Sequence, residues 1–223
     1  METVLTRGKA PVRAGRVGRP AAGAEGVGHR DRLIAAMAES VEATSYRETS
    51  IADVVRIART SRSSFYEHFQ DRDACYLALF DALNDAVIAD IEAATQADRP
   101  WQEQVEHAVD AYIAAIGRRP NLWRSFIREL PALGEAGAER QRVVMRRFAD
   151  LLVQLVEAGL RAQPKRGASP LAPDMGILIA GGITLLMVMA LEQGRDLNEV
   201  KTTAASAFSA ILSETVLRNS PAG

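Results

Sequence analysis

A single cysteine, three histidines and 5% aromatic residues are what this 223-residue chain has of the chemically distinctive side chains. The lone Cys75 has no partner for an intramolecular disulfide. His29, His68 and His107 stand far apart, and no His/Cys spacing suits zinc. A nucleophile elbow, a glycine-rich phosphate loop and a paired-carboxylate signature are all missing, so no enzyme and no cofactor is expected. Strand-like alternation with hairpin turns is missing too, which argues against a sheet. The first 20 residues are basic but contain no apolar stretch long enough for a secretory leader. The most apolar run, Ile177 to Leu191, covers 15 residues and includes Gly181 and Gly182. A membrane span needs roughly 20 residues, so a buried helix is expected instead, in a soluble cytoplasmic protein with no membrane partner.

What is present is helix-former chemistry. Hydrophobic residues make up 48% of the chain, enough for a sizeable core, and Ala, Leu, Val and Arg dominate. The net charge of −1 hides an asymmetry: residues 1–72 hold 12 Lys+Arg against 9 Asp+Glu, and the remainder 15 against 19. A basic end on an acidic body suits a nucleic-acid partner at that end only.

Residues 1–28 show no apolar period, and Arg7, Lys9, Arg13, Arg16 and Arg19 face only Glu2 and Glu25. This segment is expected to be a disordered basic arm. Its Arg16-Val-Gly-Arg19-Pro20 stretch partly resembles the short basic hooks that lie in narrow minor grooves. From His29 the pattern turns helical, with Leu33, Ile34, Met37, Ala38 and Val41 at three- and four-residue spacing. Ser50-Ile-Ala-Asp53 has the form of a capping box opening a second helix. A third starts at Ser61, and Asp71 caps a fourth with Tyr76, Phe80, Leu83, Val87 and Ile91 as its stripe. Pro100 opens a fifth helix that Gly117 should end, and Pro120 opens a sixth. A seventh follows from about Ala136 to Leu160, with Val144, Phe148, Leu151 and Leu155 inward. An eighth runs from about Asp174 to Gly194, and a ninth follows Asp196 with Val200, Ala204, Ala207 and Ile211 as its seam. The expected class is all-α, with about nine helices, divided into a smaller part at 29–72 and a larger one at 73–223.

The segment from Thr49 to Arg72 carries the most information. A short helix, a turn of three or four residues and a second short helix make the layout of a helix-turn-helix, whose second helix enters the major groove. Ile51, Val54, Val55 and Ala58 can pack the first helix inward, while Phe65 and Phe69, four apart, anchor the second. Its outer face is then Arg62, Ser63, Ser64 and Tyr66. Serines permit close approach to base edges, and Arg62 can donate twice to a guanine. Tyr66 and His68 suit phosphate oxygens, and Arg72 adds a charge near the start of the fourth helix. Ser50, at the cap of the first motif helix, completes the expected DNA-binding set.

The stretches SRSSFYEHFQDRDA and TSIADVVRIARTS resemble the recognition helix and first motif helix of the TetR family of bacterial regulators. Two positions depart from that family's habit: Arg59 stands where glycine is usual in the turn, and Thr60 where an apolar residue is usual. If the turn needs φ > 0 at Arg59, the strain costs about 1 kcal/mol; the same side chain is also placed to meet phosphate. The resemblance implies a helix-turn-helix DNA-binding domain at 29–72 and a ligand-binding and dimerisation domain at 73–223. It implies further a homodimer formed by the last two helices, a palindromic double-stranded DNA operator, and a small-molecule effector that releases a repressor. Trp101, His107, Tyr112, Trp123, Phe126, Met145, Phe148 and Met187 are the candidate pocket residues, and their character suggests an apolar or aromatic ligand. The competing expectations are a DNA-binding regulator without a ligand and, from another class, a helical enzyme or carrier.

Overall fold

Every element expected from periodicity and capping is present in the computed structural model, which describes residues 22–95, 99–162, 164 and 170–217. The order is α1 (Ala22–Ala43), α2 (Ile51–Ile57), α3 (Arg62–His68), α4 (Arg72–Ala94), α5 (Trp101–Arg118) and α6 (Pro120–Glu129). A 3-10 turn (Leu130–Leu133), α7 (Gly134–Ala162), α8 (Pro173–Gln193) and α9 (Leu197–Leu217) follow, with no strand among the described residues. Helix α1 begins at Ala22, inside the segment expected to be a disordered arm; the rest of that arm, 1–21, lies outside the described residues. Helix α5 runs through Gly117. Its stop comes from Pro120, whose ring disfavours the helical region for Arg119, found at φ −139° and ψ 58°.

Two cores share α4. The head core gathers Leu33, Ile34, Met37, Ala38 and Val41 of α1, Val54 and Val55 of α2, Phe65 of α3, and the first turns of α4 from Cys75 to Phe80. The body core takes over at Val87 and Ile91 and continues through α5, α7, α8 and α9. Leu122, Phe126 and Leu130, in and just after α6, belong to the head cluster, so α6 is where body meets head. Helix α4 is thus common property of both regions rather than the start of the second.

Two seams differ from expectation in detail. On α9 the buried positions are Val200, Ala204 and Phe208; Ala207 is exposed, because the larger Phe208 takes the inward place beside it. Helix α8 is long and apolar enough to cross a membrane by length and composition. It packs instead on α6, α7 and α9, burying Ile179, Ile183, Met187 and Ala190 and leaving Leu178 and Leu185 about 60% exposed. Its last turn closes on Gly194 in the left-handed region at φ 64°, as the glycine's position implies.

Candidate nucleic-acid interface and an internal cavity

Ser50 and Asp53 start α2 by exchanging two hydrogen bonds: the Asp53 amide donates to Ser50 Oγ and the Ser50 amide to Asp53 Oδ2, each at 3.2 Å. The Ser50 hydroxyl holds the Asp53 carboxyl below the usual carboxylate range. Helix α2 ends in a Schellman motif, with the Thr60 amide donating to Val55 O at 3.0 Å and the Arg59 amide to Arg56 O at 3.2 Å. That motif requires a left-handed residue, and Arg59 supplies it at φ 52°. Ser61 then caps α3, its Oγ accepting from the Ser64 amide at 3.1 Å.

Helix α3 is held by two rings. Phe65 and Phe69 are buried, with centroids 5.6 Å apart, and the Arg30 guanidinium of α1 lies 5.4 Å over the Phe69 ring. Arg62, Ser63, Tyr66 and Glu67 face outward, and Tyr66 is 57% exposed. Ser64 does not join them. About 200° round the helix from Arg62, it is buried and hydrogen-bonded to His29 Nδ1 at 3.1 Å. Its expected place on the outer face is therefore corrected: the serine fastens α3 to α1. Glu67 was overlooked, although the 62–63–66–67 spacing puts it on the exposed stripe, where a carboxylate can accept from a cytosine amino group. His68 is half-buried at the end of α3.

Arg72 is mostly turned to internal work. Its Nη1 donates to Thr49 O at 3.1 Å and Tyr46 O at 3.4 Å, its guanidinium lies 4.3 Å over the Tyr46 ring, and Asp73 is 3.6 Å from Nε. Tyr46 stacks on Tyr76 at 4.0 Å and donates its hydroxyl to Asp73; burial pushes its phenol well up. Arg72 and Ser50 thus build the head, and the exposed cations Arg59 and Arg62 have no ion-pair partner among the described residues.

Inside the body, α4 to α8 frame a cavity of about 290 Å³. Six expected pocket residues line it: Tyr112, Trp123, Phe126, Met145, Phe148 and Met187. The other two do not. Trp101 is buried at the start of α5 against Gly159, where an added Cβ would lie 2.6 Å from its own Cβ, so it pins α5 to α7. His107 is exposed on the far side of α5.

An exposed polar stripe on an anchored short helix, led in by a capped helix and a tight turn, defines a DNA-binding head on a helical body. Residues 33–79 match the model of the bacterial regulatory proteins of the tetR family. A TetR-family regulator from Pectobacterium atrosepticum superposes with a TM-score of 0.67 at 20% identity, over 88% of this chain and 98% of its own. One from Rhodococcus sp. gives 0.65 at 19%, over 84% and 100%, and the fatty acid degradation regulator FadR of Bacillus halodurans gives 0.59 at 15%, over 79% and 92%. No curated protein sequence matches the chain. Its head thus resembles that of the bacterial tetR-family regulators, and the whole chain shares the fold of solved TetR-family structures.

Proposed function

We propose that the protein is a ligand-released repressor of the bacterial cytoplasm: a homodimer that grips a palindromic operator until a small, largely apolar molecule enters the cavity. The observation that supports this best is a line of rings from cavity to head. Trp123 and Phe126 line the cavity. Phe126 lies 5.0 Å from Tyr76, Tyr76 stacks on Tyr46, and Arg72 bridges Tyr46 to the carbonyl of Thr49, next to the cap of α2. Close-packed interiors transmit displacement rather than absorb it. On the surface the same joint is tied by Arg119 to Glu42 at 2.7 Å and Arg47 to Glu129 at 3.0 Å, joining α6 to the head. The ligand's leverage is bounded by its difference in affinity for the DNA-gripping and released forms.

Dimerisation through α8 and α9 would cover Leu178 and Leu185 and use the open space beside Gly181 and Gly182. Two recognition helices then meet half-sites about one DNA turn apart. Arg62 and Ser63 are assigned to base edges, with Tyr66 and His68 on phosphates. Operators selected from a random DNA pool, titrated by fluorescence anisotropy and then challenged with a metabolite panel, test the whole reading. Arg62→Ala is expected to relax preference at one position by roughly 1–3 kcal/mol. Tyr66→Phe is expected to weaken all sequences alike by about 1 kcal/mol. Failure to bind any duplex at low ionic strength would sink the proposal.

A further inference from the structure

The lining of the cavity also specifies the chemistry of its occupant, given that the cavity is the effector site. A second chamber of about 70 Å³ lies against it, and Tyr112, Phe148 and Thr184 line both. These three residues are the partition. The Tyr112 ring is buried and meets Phe148 edge-on at 5.6 Å, and the Thr184 hydroxyl donates to Ala180 O at 2.8 Å. Tyr112 is buried, whereas Phe148 is only half-buried, so Phe148 is the ring free to yield.

Among the described residues, neither chamber is lined by any Asp, Glu, Lys, Arg or His. The nearby charges pair across the α4–α7 surface instead, with Arg147 on Asp85 at 2.6 Å and Arg140 on Asp81 at 2.5 Å. Besides the partition's hydroxyls and the Trp123 indole, the polar side chains lining the larger chamber are the amides of Asn84 and Gln141. Asn84 spends one of its two side-chain N–H donors on Phe80 O at 2.8 Å, which leaves Oδ1 as an acceptor beside the second N–H. Gln141 is exposed and makes no hydrogen bond among the described residues, so it stands at the mouth with both functions open. The smaller chamber offers only the two hydroxyls of the partition.

We infer that the ligand is an uncharged, elongated amphiphile, with a hydrogen-bond-donating head between Asn84 and Gln141 and an apolar tail that passes Phe148 into the smaller chamber. An ion buried here would lose its hydration with no counter-charge to replace it. The head group would meet α4 directly, at Asn84, about half the helix's length from its DNA-binding end.

The test is calorimetric titration of the full-length protein at neutral pH with decanamide, decanoate and decylammonium as probes, and with butanamide for length. Decanamide is expected to bind at least about tenfold tighter than either ion, with affinity falling about fourfold per methylene removed. Phe148→Trp, which fills the partition, should weaken decanamide and spare butanamide. Asn84→Leu should weaken both amides about tenfold; should it fail to fold, the Phe148→Trp comparison still decides. Equal or tighter binding of an ion, affinity flat from butanamide to decanamide, indifference to Phe148→Trp, or no amide binding would each overturn the inference. A charged compound that releases operator DNA would sink this ligand class while leaving the repressor reading intact. Amide binding without any compound releasing DNA would do the reverse.

Discussion

Head and body are built from the same helix-forming residues, yet one is packed solid and the other is packed around space. The head interlocks the rings of Tyr46, Phe65, Phe69, Tyr76 and Phe80, with Phe126 reaching in from α6. The body core is mainly aliphatic, around Val109, Ile113, Leu155, Ile179 and Ile183; it surrounds the smaller chamber and borders the larger one, which Phe80, Phe126, Leu130 and Val144 of the head cluster close on the other side. The proposed function accounts for the difference. A recognition helix of seven residues is too short to hold its own shape and takes its rigidity from its anchors. A ligand site needs room, and room costs dispersion contacts that a small head cannot spare.

The largest expected effect tests the solidity of the head through Cys75. This thiol is fully buried in the head core, and burial pushes it up to about 12 from an ordinary 9.0. At neutral pH its thiolate fraction is then roughly a thousandfold below that of a free cysteine, before steric protection is counted. A disulfide reagent should label it only through transient opening, and bound operator should slow labelling further. Prompt labelling of the native protein would mean that the head is as open as the body.

Paired truncations sharpen the same contrast. Phe65 is completely buried and touches Phe69 and Tyr66, so Phe65→Ala should cost about 3–5 kcal/mol in chemical denaturation and abolish DNA binding. Phe148 is half-buried and already borders cavities, so Phe148→Ala should cost no more than about 2 kcal/mol, since little new void is created. Equal costs would contradict the difference in packing.

The head was legible because its signals are local. The Ser50–Asp53 box, the Ser61 and Asp71 caps and the Phe65–Phe69 spacing act within a turn or two of themselves, and each stands where the spacing puts it. Ser64 was misplaced although helical spacing already sets it about 200° from Arg62; only its partner His29, 35 residues away, lies beyond what that spacing encodes. The internal role of Arg72 was hidden for the same reason, since its partners are carbonyls of the α1–α2 connection. In the body, aromatic and methionine residues marked six of the cavity walls. Trp101 looked no different from Trp123; what separates them is Gly159, whose missing Cβ lets Trp101 close the gap between α5 and α7. The amides Asn84 and Gln141 carry no pattern at all in the sequence, and only the packing of α4 against α7 brings both to one chamber.

The smallest expected effect concerns the turn that feeds the recognition helix. Arg59 sits at φ 52°, where a side chain costs about 1 kcal/mol relative to glycine. Arg59→Gly should therefore stabilise the head by a little under that amount, the added freedom of the unfolded chain taking some of it back. Its guanidinium is exposed and without an ion-pair partner among the described residues, so no native contact is lost with it. The same change should weaken operator binding if the strained arginine serves phosphate, and should lower the salt dependence by about one counterion per head. Stability gained and affinity lost from one substitution would mean that the head tolerates this strain for the sake of its partner. Stability gained with affinity unchanged would make Arg59 a solvated turn residue and leave Arg62 as the only unpaired cation of this turn and helix serving the duplex.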